Sequence, residues 1–129
     1  MKEGKEAEGL YQEAFDKFQK AIDLKPDKHE AFNNWGTYLG SLAKTKDGEE
    51  AEVLYQEAID KYQKAIDYGA SSYNLSCIYA LQGDKDNALN FLNTSLSKRE
   101  IDIDFVENDE DWKDFLNDKD FNKIINKYK

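Results

Sequence analysis

The side chains of this chain that could do chemistry are few and lie far apart in the sequence. His29 is the only histidine, and Cys77 is the only cysteine. A zinc-binding helix of the hydrolytic type needs a second histidine four residues later, but position 33 is an asparagine. Cys77 stands near Leu75 and Ile78, a setting that favours a small buried side chain over a catalytic thiol. We therefore predict no catalytic residue and no metal ligand at these positions.

An acidic segment near the C-terminus invites comparison with a calcium site. Its carboxylates are Asp102, Asp104, Glu107, Asp109, Glu110 and Asp111. The segment lacks the central glycine and the ligand spacing of an EF-hand loop, so we interpret it as solvated and helix-capping. The chain also has no glycine-rich phosphate loop and no Ser/His/Asp set. We therefore predict a protein that is not an enzyme and that uses no cofactor.

Composition and charge narrow the class of partner. The 129 residues include 18 basic and 27 acidic side chains, which gives a formal net charge of −9. Nucleic acids are bound through clustered Lys and Arg, so this balance argues against nucleic acid and against an anionic membrane surface. No run approaches the roughly 20 apolar residues of a spanning helix, and the N-terminus lacks the apolar core of a signal peptide. These features predict a cytoplasmic location and no membrane partner.

The most informative pattern in the chain is an internal duplication. Residues 2–23 and 46–67 are identical at 17 of 22 positions. In both copies apolar residues recur at steps of three and four, which predicts an amphipathic helix. Self-similarity at a fixed period is typical of stacked helical repeats, which present surfaces to partners more often than they host catalysis.

The same periodicity predicts an all-α chain with short turns. The expected helices are at about 5–24, 28–45, 49–68, 72–81 and 85–97. Pro26 and Gly69 end the first and third helices, because proline cannot continue the backbone ladder and glycine suits a left-handed cap.

Residues 98–129 break the repeat pattern. They are acidic, but they carry so many large apolar side chains that a free tail is excluded. We predict two or three short helices that cap the open end of the stack, which would otherwise expose its apolar face. Asp104, Asp109 and Asp118 each stand where such a helix could begin.

The spacing of small and apolar residues resembles the tetratricopeptide repeat, a helix–turn–helix unit of 34 residues. The clearest matches are Phe32-x2-Trp35-Gly36-x2-Leu39 and Ala58-x3-Tyr62-x2-Ala65, with Ala14-x3-Phe18-x2-Ala21 and Ala88-x3-Leu92 in the flanking repeats. The resemblance covers about residues 7–97 and is to a bacterial or archaeal type with an extended repeat of about 44 residues. It implies an α-solenoid of about two and a half repeats, with its helices in the order B1, A2, B2, A3 and B3.

In this family the A helices line a groove that receives a peptide or a partner helix. The residues that match the groove positions are Asn33, Asn34, Thr37, Ser41, Tyr73, Asn74 and Cys77. Asn34 and Asn74 occupy the same slot in their repeats, and an asparagine amide both donates and accepts hydrogen bonds. These asparagines could also be ordinary solvent-exposed helix residues. The resemblance implies a protein-interaction or scaffold module whose partner is a protein or peptide of unknown identity.

The resemblance also allows one known ligand class to be judged, and two alternative functions remain open. A subset of the family clamps chaperone C-terminal carboxylates with cations on the A helices, but 29–43 and 72–82 contain no Lys or Arg. We therefore exclude that ligand. The first alternative is homo-oligomeric self-assembly, because the first helix has no A helix of its own to cover Leu10, Phe15 and Phe18. The second alternative is a regulatory domain of a larger enzyme.

Overall fold

The computed structural model describes the backbone of residues 2–129 and the side chains from residue 9 onward. The described residues form helices and no strand, which confirms the predicted all-α class. None of these helices is long and apolar enough to cross a membrane. The elements are α1 (Lys2–Leu24), α2 (His29–Ala43), α3 (Gly48–Asp67), α4 (Tyr73–Gln82), α5 (Lys85–Ser97), α6 (Ile103–Asn108), a 3-10 helix (Glu110–Phe115) and α7 (Lys119–Lys127).

The five repeat helices begin and end close to where the apolar periodicity places them. α1 ends two residues before Pro26, whose ring cannot continue the backbone ladder. α3 ends before Gly69, which has a φ of 101°. Glycine adopts this left-handed backbone without a steric penalty. The division of the chain into a repeat array, 1–97, and a C-terminal cap, 98–129, stays a prediction.

α2 lies between α1 and α3, and its two sides make different kinds of contact. On the α3 side, a Cβ added to Gly36 would lie 2.8 Å from two ring carbons of Tyr62, so the two backbones approach closely. On the α1 side, the Phe15 and Phe18 rings pack on Trp35 at 4.8 and 5.8 Å between centroids. α2 is thereby fixed between the two near-identical helices, α1 and α3.

The C-terminal elements build a second core with α4 and α5. Trp112 is fully buried and packs its ring 5.4 Å from that of Phe121. Lys85, at the start of α5, pairs with Asp118 and Asp120 at 2.8 Å each, which ties α5 to the beginning of α7. The acidic segment is therefore held against the repeats by apolar burial as well as by charge.

Two of the three predicted caps of the short helices are confirmed. The Asp109 side chain accepts from the Asp111 amide, and the Asp118 side chain accepts from two amides in the first turn of α7. The cap predicted at Asp104 is wrong, because α6 begins at Ile103 and its N-cap position is Asp102, two residues earlier. Asp104 instead lies in the first turn, where its charge complements the helix dipole.

Candidate peptide-binding surface

All seven predicted groove residues lie on α2 and α4, and five of them are at least partly exposed. We call these five together the α2–α4 surface: Asn33, Asn34, Thr37, Ser41 and Asn74. The Asn74 side-chain amide donates to the side-chain Oδ1 of Asn33 at 3.4 Å, so the two helices are linked across this surface. The Asn34 side chain is exposed and available to a ligand. The amide pair supplies both donors and acceptors along one face.

A small pocket of about 120 Å³ opens on the α2–α4 surface. Its lining residues are Thr37, Gly40, Ser41, Lys44, Tyr62, Asn74, Cys77, Ile78 and Asp111. The floor is rigid, because the Thr37 hydroxyl lies 2.8 Å from the hydroxyl of buried Tyr62. Burial raises the pKa of Tyr62 to about 12, although the hydrogen bond with Thr37 opposes that shift. The floor of the pocket therefore presents neutral hydroxyl groups at neutral pH.

Two of the predicted groove residues, Tyr73 and Cys77, are almost completely buried, although Cys77 borders the small pocket. Both side chains are only 5% exposed, and both contact Asp109 of the C-terminal segment. The Tyr73 hydroxyl donates to the Asp109 carboxylate at 2.6 Å and accepts from the Trp112 indole nitrogen at 3.1 Å. The Cys77 thiol lies 3.7 Å from the same carboxylate. We conclude that these two residues hold the C-terminal segment in place.

The group formed by Cys77, Asp109 and Asp111 is the one metal-binding arrangement that the described part of the chain offers. Their ligand atoms lie within 4.8 Å of one another. Burial, together with the Asp109 charge, raises the pKa of the Cys77 thiol well above its ordinary value, so the thiol stays protonated. The carboxylates already accept from Tyr73 and from Lys44, at 2.6 and 2.8 Å. The group is better suited to internal hydrogen bonding than to a cation.

A second, larger pocket of about 590 Å³ adjoins the first one. We call it the acidic pocket, and its lining residues are Lys44, Asp102, Asp104, Phe105, Asn108, Asp109, Glu110 and Asp111. Phe105 is 58% exposed and stands edge-on to Tyr73, 5.8 Å between ring centroids. Asp102, Asp104 and Glu110 form no ion pair with any described residue. The pocket thus combines an apolar ring with three uncompensated carboxylates.

Lys44 and Asp111 line both pockets and join them. Their side chains form an ion pair at 2.8 Å. Burial alone would lower the pKa of Lys44, but the hydrogen bond and the charge of Asp111 raise it overall. Lys44 therefore stays charged and remains bound to the protein's own carboxylate. It leaves no excess positive charge at the junction for a ligand carboxylate.

Sequence reasoning missed that the acidic segment borders the predicted groove. It placed residues 98–129 at the open end of the stack and gave the carboxylates a solvated, capping role. Asp109 does cap the 3-10 helix, but it also bonds Tyr73, 36 residues away. No local periodicity reports such a contact. The available signal was the presence of large apolar side chains, such as Phe105 and Trp112, inside an acidic run.

Comparison with known proteins supplies the family. No curated protein and no solved structure matches the chain significantly. Residues 2–91 match the family described as plant specific mitochondrial import receptor subunit TOM20. This match supports a tetratricopeptide-like helical receptor domain, whereas the bacterial or archaeal type is not supported.

This match tests two predictions from the sequence, the interaction role and the cellular location. A receptor is a protein-interaction module, which agrees with the predicted interaction role but not with the specific role of a scaffold. The predicted cytoplasmic location is wrong, because the matched family consists of mitochondrial import receptor subunits. The prediction was wrong because a polar, acidic composition indicates solubility and does not indicate the cellular compartment. The matched residues make up most of the chain, and it therefore belongs to the plant-specific mitochondrial import receptor subunit TOM20 family.

Proposed function

We propose that this chain is the receiving module of a mitochondrial import receptor and binds a basic, amphipathic segment of a precursor protein. The family description supports a precursor as the partner. Mitochondrial targeting segments are amphipathic, rich in Arg and Ser and poor in acidic residues. An acidic receptor surface is complementary to such a segment, and this chain carries a net charge of −9. The location that goes with this function is the mitochondrial surface.

The observation that carries the proposal is the continuity of the two pockets. Lys44 and Asp111 line both, so the α2–α4 surface runs into the acidic pocket without a break. A bound helix that lies along this path would place the polar backbone groups at one of its ends near Asn34 and Asn74. Its apolar face would meet Phe105, and its Arg side chains would meet the carboxylates. The backbone end, the apolar face and the Arg side chains of a basic amphipathic helix would thus each meet a complementary group on this chain.

The contribution of the carboxylates can be bounded from their exposure. Asp102, Asp104 and Glu110 are exposed, and exposed ion pairs contribute about 0.2–1 kcal/mol each. Three such pairs give about 0.6–3 kcal/mol, which is about a 3- to 150-fold change in Kd. The acidic pocket should therefore tune affinity and association rate, while burial of the apolar face supplies the larger share.

The experiment measures fluorescence anisotropy of a labelled synthetic helix with Leu on one face and Arg on the other. The test variant is Asp102→Asn/Asp104→Asn/Glu110→Gln, which keeps side-chain size and removes three charges. It should weaken binding by about 3- to 150-fold and flatten the salt dependence. A peptide with Gln in place of Arg should bind the native chain and the variant equally.

The matched control removes the same number of charges elsewhere, with Asp16→Asn/Asp23→Asn/Asp67→Asn. These aspartates accept hydrogen bonds from glutamines four residues earlier, and asparagine can still accept them. The control should bind as the native chain does, apart from a small change due to net charge. Equal weakening in both triple variants would contradict the acidic pocket as the binding site. A separate variant, Asn34→Ala/Asn74→Ala, tests the amides and should also weaken binding.

A further inference from the structure

The duplicated helices provide an internal comparison of the same sequence in two environments. In α3, Ala58 and Ala65 are completely buried, and Ala58 belongs to the core that α3 forms with α2. The equivalent residues of α1 are Ala14, which is half-buried, and Ala21, which is exposed. The same apolar face is therefore covered in one copy and uncovered in the other, as far as the described residues go. A face built for close helix packing is left without a helix.

The uncovered face forms one side of a groove of about 370 Å³ between α1 and α2. Its lining residues are Leu10, Glu13, Ala14, Lys17, Phe18 and Tyr38. Leu10 is 63% exposed, an unusual position for a large apolar side chain next to other apolar groups. Phe18 is held in place by stacking on Trp35 and by an edge contact with Tyr38. The groove therefore has a rigid apolar wall and a small alanine at its floor.

We propose that this groove is occupied by α1 of a second copy of the chain, packed antiparallel across a two-fold axis at Ala14. In that arrangement Leu10 of each copy lies opposite Phe18 of the other copy, because the two residues are equally far from Ala14. The small side chain at the crossing permits a close approach of the two helices, as Ala58 does in the buried contact of α3 with α2. A two-fold interface requires such a self-complementary patch.

The charges at the rim fit the same arrangement. Glu13 and Lys17 are exposed on the flank that carries Leu10, and neither forms an ion pair with a described residue. Across the two-fold axis, Glu13 of one copy comes next to Lys17 of the other, and the pair occurs twice. This charge complementarity favours an antiparallel second copy, because an antiparallel two-fold axis brings the same flank of both helices together, whereas a parallel one would place these flanks on opposite sides and leave the charges unpaired. The groove is separate from the α2–α4 surface, so dimerisation and peptide binding are independent.

The size of the contact predicts a weak dimer. A single pair of helices buries less than the roughly 1,200 Å² of a standard specific interface. We therefore expect a dissociation constant in the micromolar range, about 10–100 μM. Sedimentation equilibrium of the 129-residue chain up to about 0.5 mM covers this range. A monomer at every concentration would overturn the proposal, including the case in which a helix from another protein fills the groove.

Charge exchange tests the register of the dimer. Glu13→Lys and Lys17→Glu should each weaken the dimer about tenfold, because each places two like-charge pairs across the axis. The double variant, Glu13→Lys/Lys17→Glu, should restore dimerisation, since it exchanges the partners. Asp16→Lys, on the far side of α1, is the control and should leave the dimer unchanged. A dimer that is indifferent to both single reversals would use another surface and would contradict the proposal.

Cross-linking tests the position of the axis without depending on affinity. In Ala14→Cys the two introduced thiols would face each other at the axis and should form an intermolecular disulfide on mild oxidation. Gln19→Cys, exposed on the opposite side of α1, is the matched control. Native Cys77 is buried and should not contribute. Equal cross-linking of the two variants would overturn the antiparallel contact at Ala14.

Discussion

Gly36→Ala should destabilise the chain although alanine is the better helix former. Gly36 lies within α2, and the added Cβ would lie 2.8 Å from two ring carbons of Tyr62 and 3.0 Å from a third. The ring is 5% exposed and its hydroxyl is hydrogen-bonded to Thr37, so it cannot simply swing away. Relief requires α2 and α3 to separate, which disturbs this close contact between the two helices.

The magnitude follows from two opposing contributions. Overpacking a tight core contact costs about 1–3 kcal/mol, and this contact is shorter than ordinary van der Waals distance, so about 2–3 kcal/mol applies. Replacing glycine by alanine in a helix contributes about 1 kcal/mol in the other direction. The net loss is about 1–2 kcal/mol of unfolding free energy. For a chain of this size that lowers Tm by about 3–10 °C.

Gly9→Ala is a matched control for the helix propensity. Gly9 lies within α1, and an added Cβ would meet nothing within 4 Å. The free energy of unfolding of this variant should rise by up to about 1 kcal/mol. The unfolding free energies of the two Gly→Ala variants should therefore differ by about 2–3 kcal/mol. The assay is urea unfolding followed by circular dichroism, with the midpoint compared at constant m-value. Tyr62→Leu in the Gly36→Ala background should recover most of the loss in a double-mutant cycle. Equal shifts in Gly36→Ala and Gly9→Ala would refute the steric argument.

Three further predictions concern the buried polar groups. Tyr73→Phe should cost about 1–3 kcal/mol in urea unfolding, because it leaves the Trp112 indole nitrogen and the Asp109 carboxylate without their shared partner. The Cys77 thiol should resist a chromogenic disulfide reagent at pH 8 in the native chain and react at once in denaturant, since burial raises its pKa. Rapid labelling of the native chain would contradict this burial. The pKa of Tyr62 is raised to about 12, so the native state keeps a proton that the unfolded state loses near pH 10. Stability should therefore fall between about pH 10 and 12, and Tyr62→Phe should lose about 2 kcal/mol less than the native chain over that interval. An identical alkaline loss in both proteins would show that Tyr62 does not contribute.

The helices could be predicted from sequence because their signals are local. Apolar spacing marks each repeat helix, and Pro26 and Gly69 mark two ends, so α1 to α5 begin and end close to the expected residues. The close approach of α2 and α3 was also predictable, since Gly36 stands where the repeat pattern requires a small residue. These features depend on neighbours within one hairpin.

The candidate site was only partly predictable because its remaining contacts join distant parts of the chain. Asn33 and Asn74 do lie together, as the repeat register implies. Tyr73 and Cys77 occupy matching positions, but Asp109 covers them from 36 and 32 residues away. The match to the repeat family says nothing of residues beyond 91, where this covering segment lies. The mitochondrial location of the matched family could likewise not be predicted from charge or hydropathy.

The most direct test of the account is to map the bound peptide on the chain by NMR. Titration of the ¹⁵N-labelled chain with the basic amphipathic helix should shift amide resonances of α2, α4 and residues 102–111. Asn34 and Phe105 should be among the most affected, whereas α1 and α5 should remain unchanged at peptide concentrations up to about 1 mM. Shifts confined to α1 or α5, or no shifts at all, would contradict the assignment of the α2–α4 surface and the acidic pocket as the receptor site.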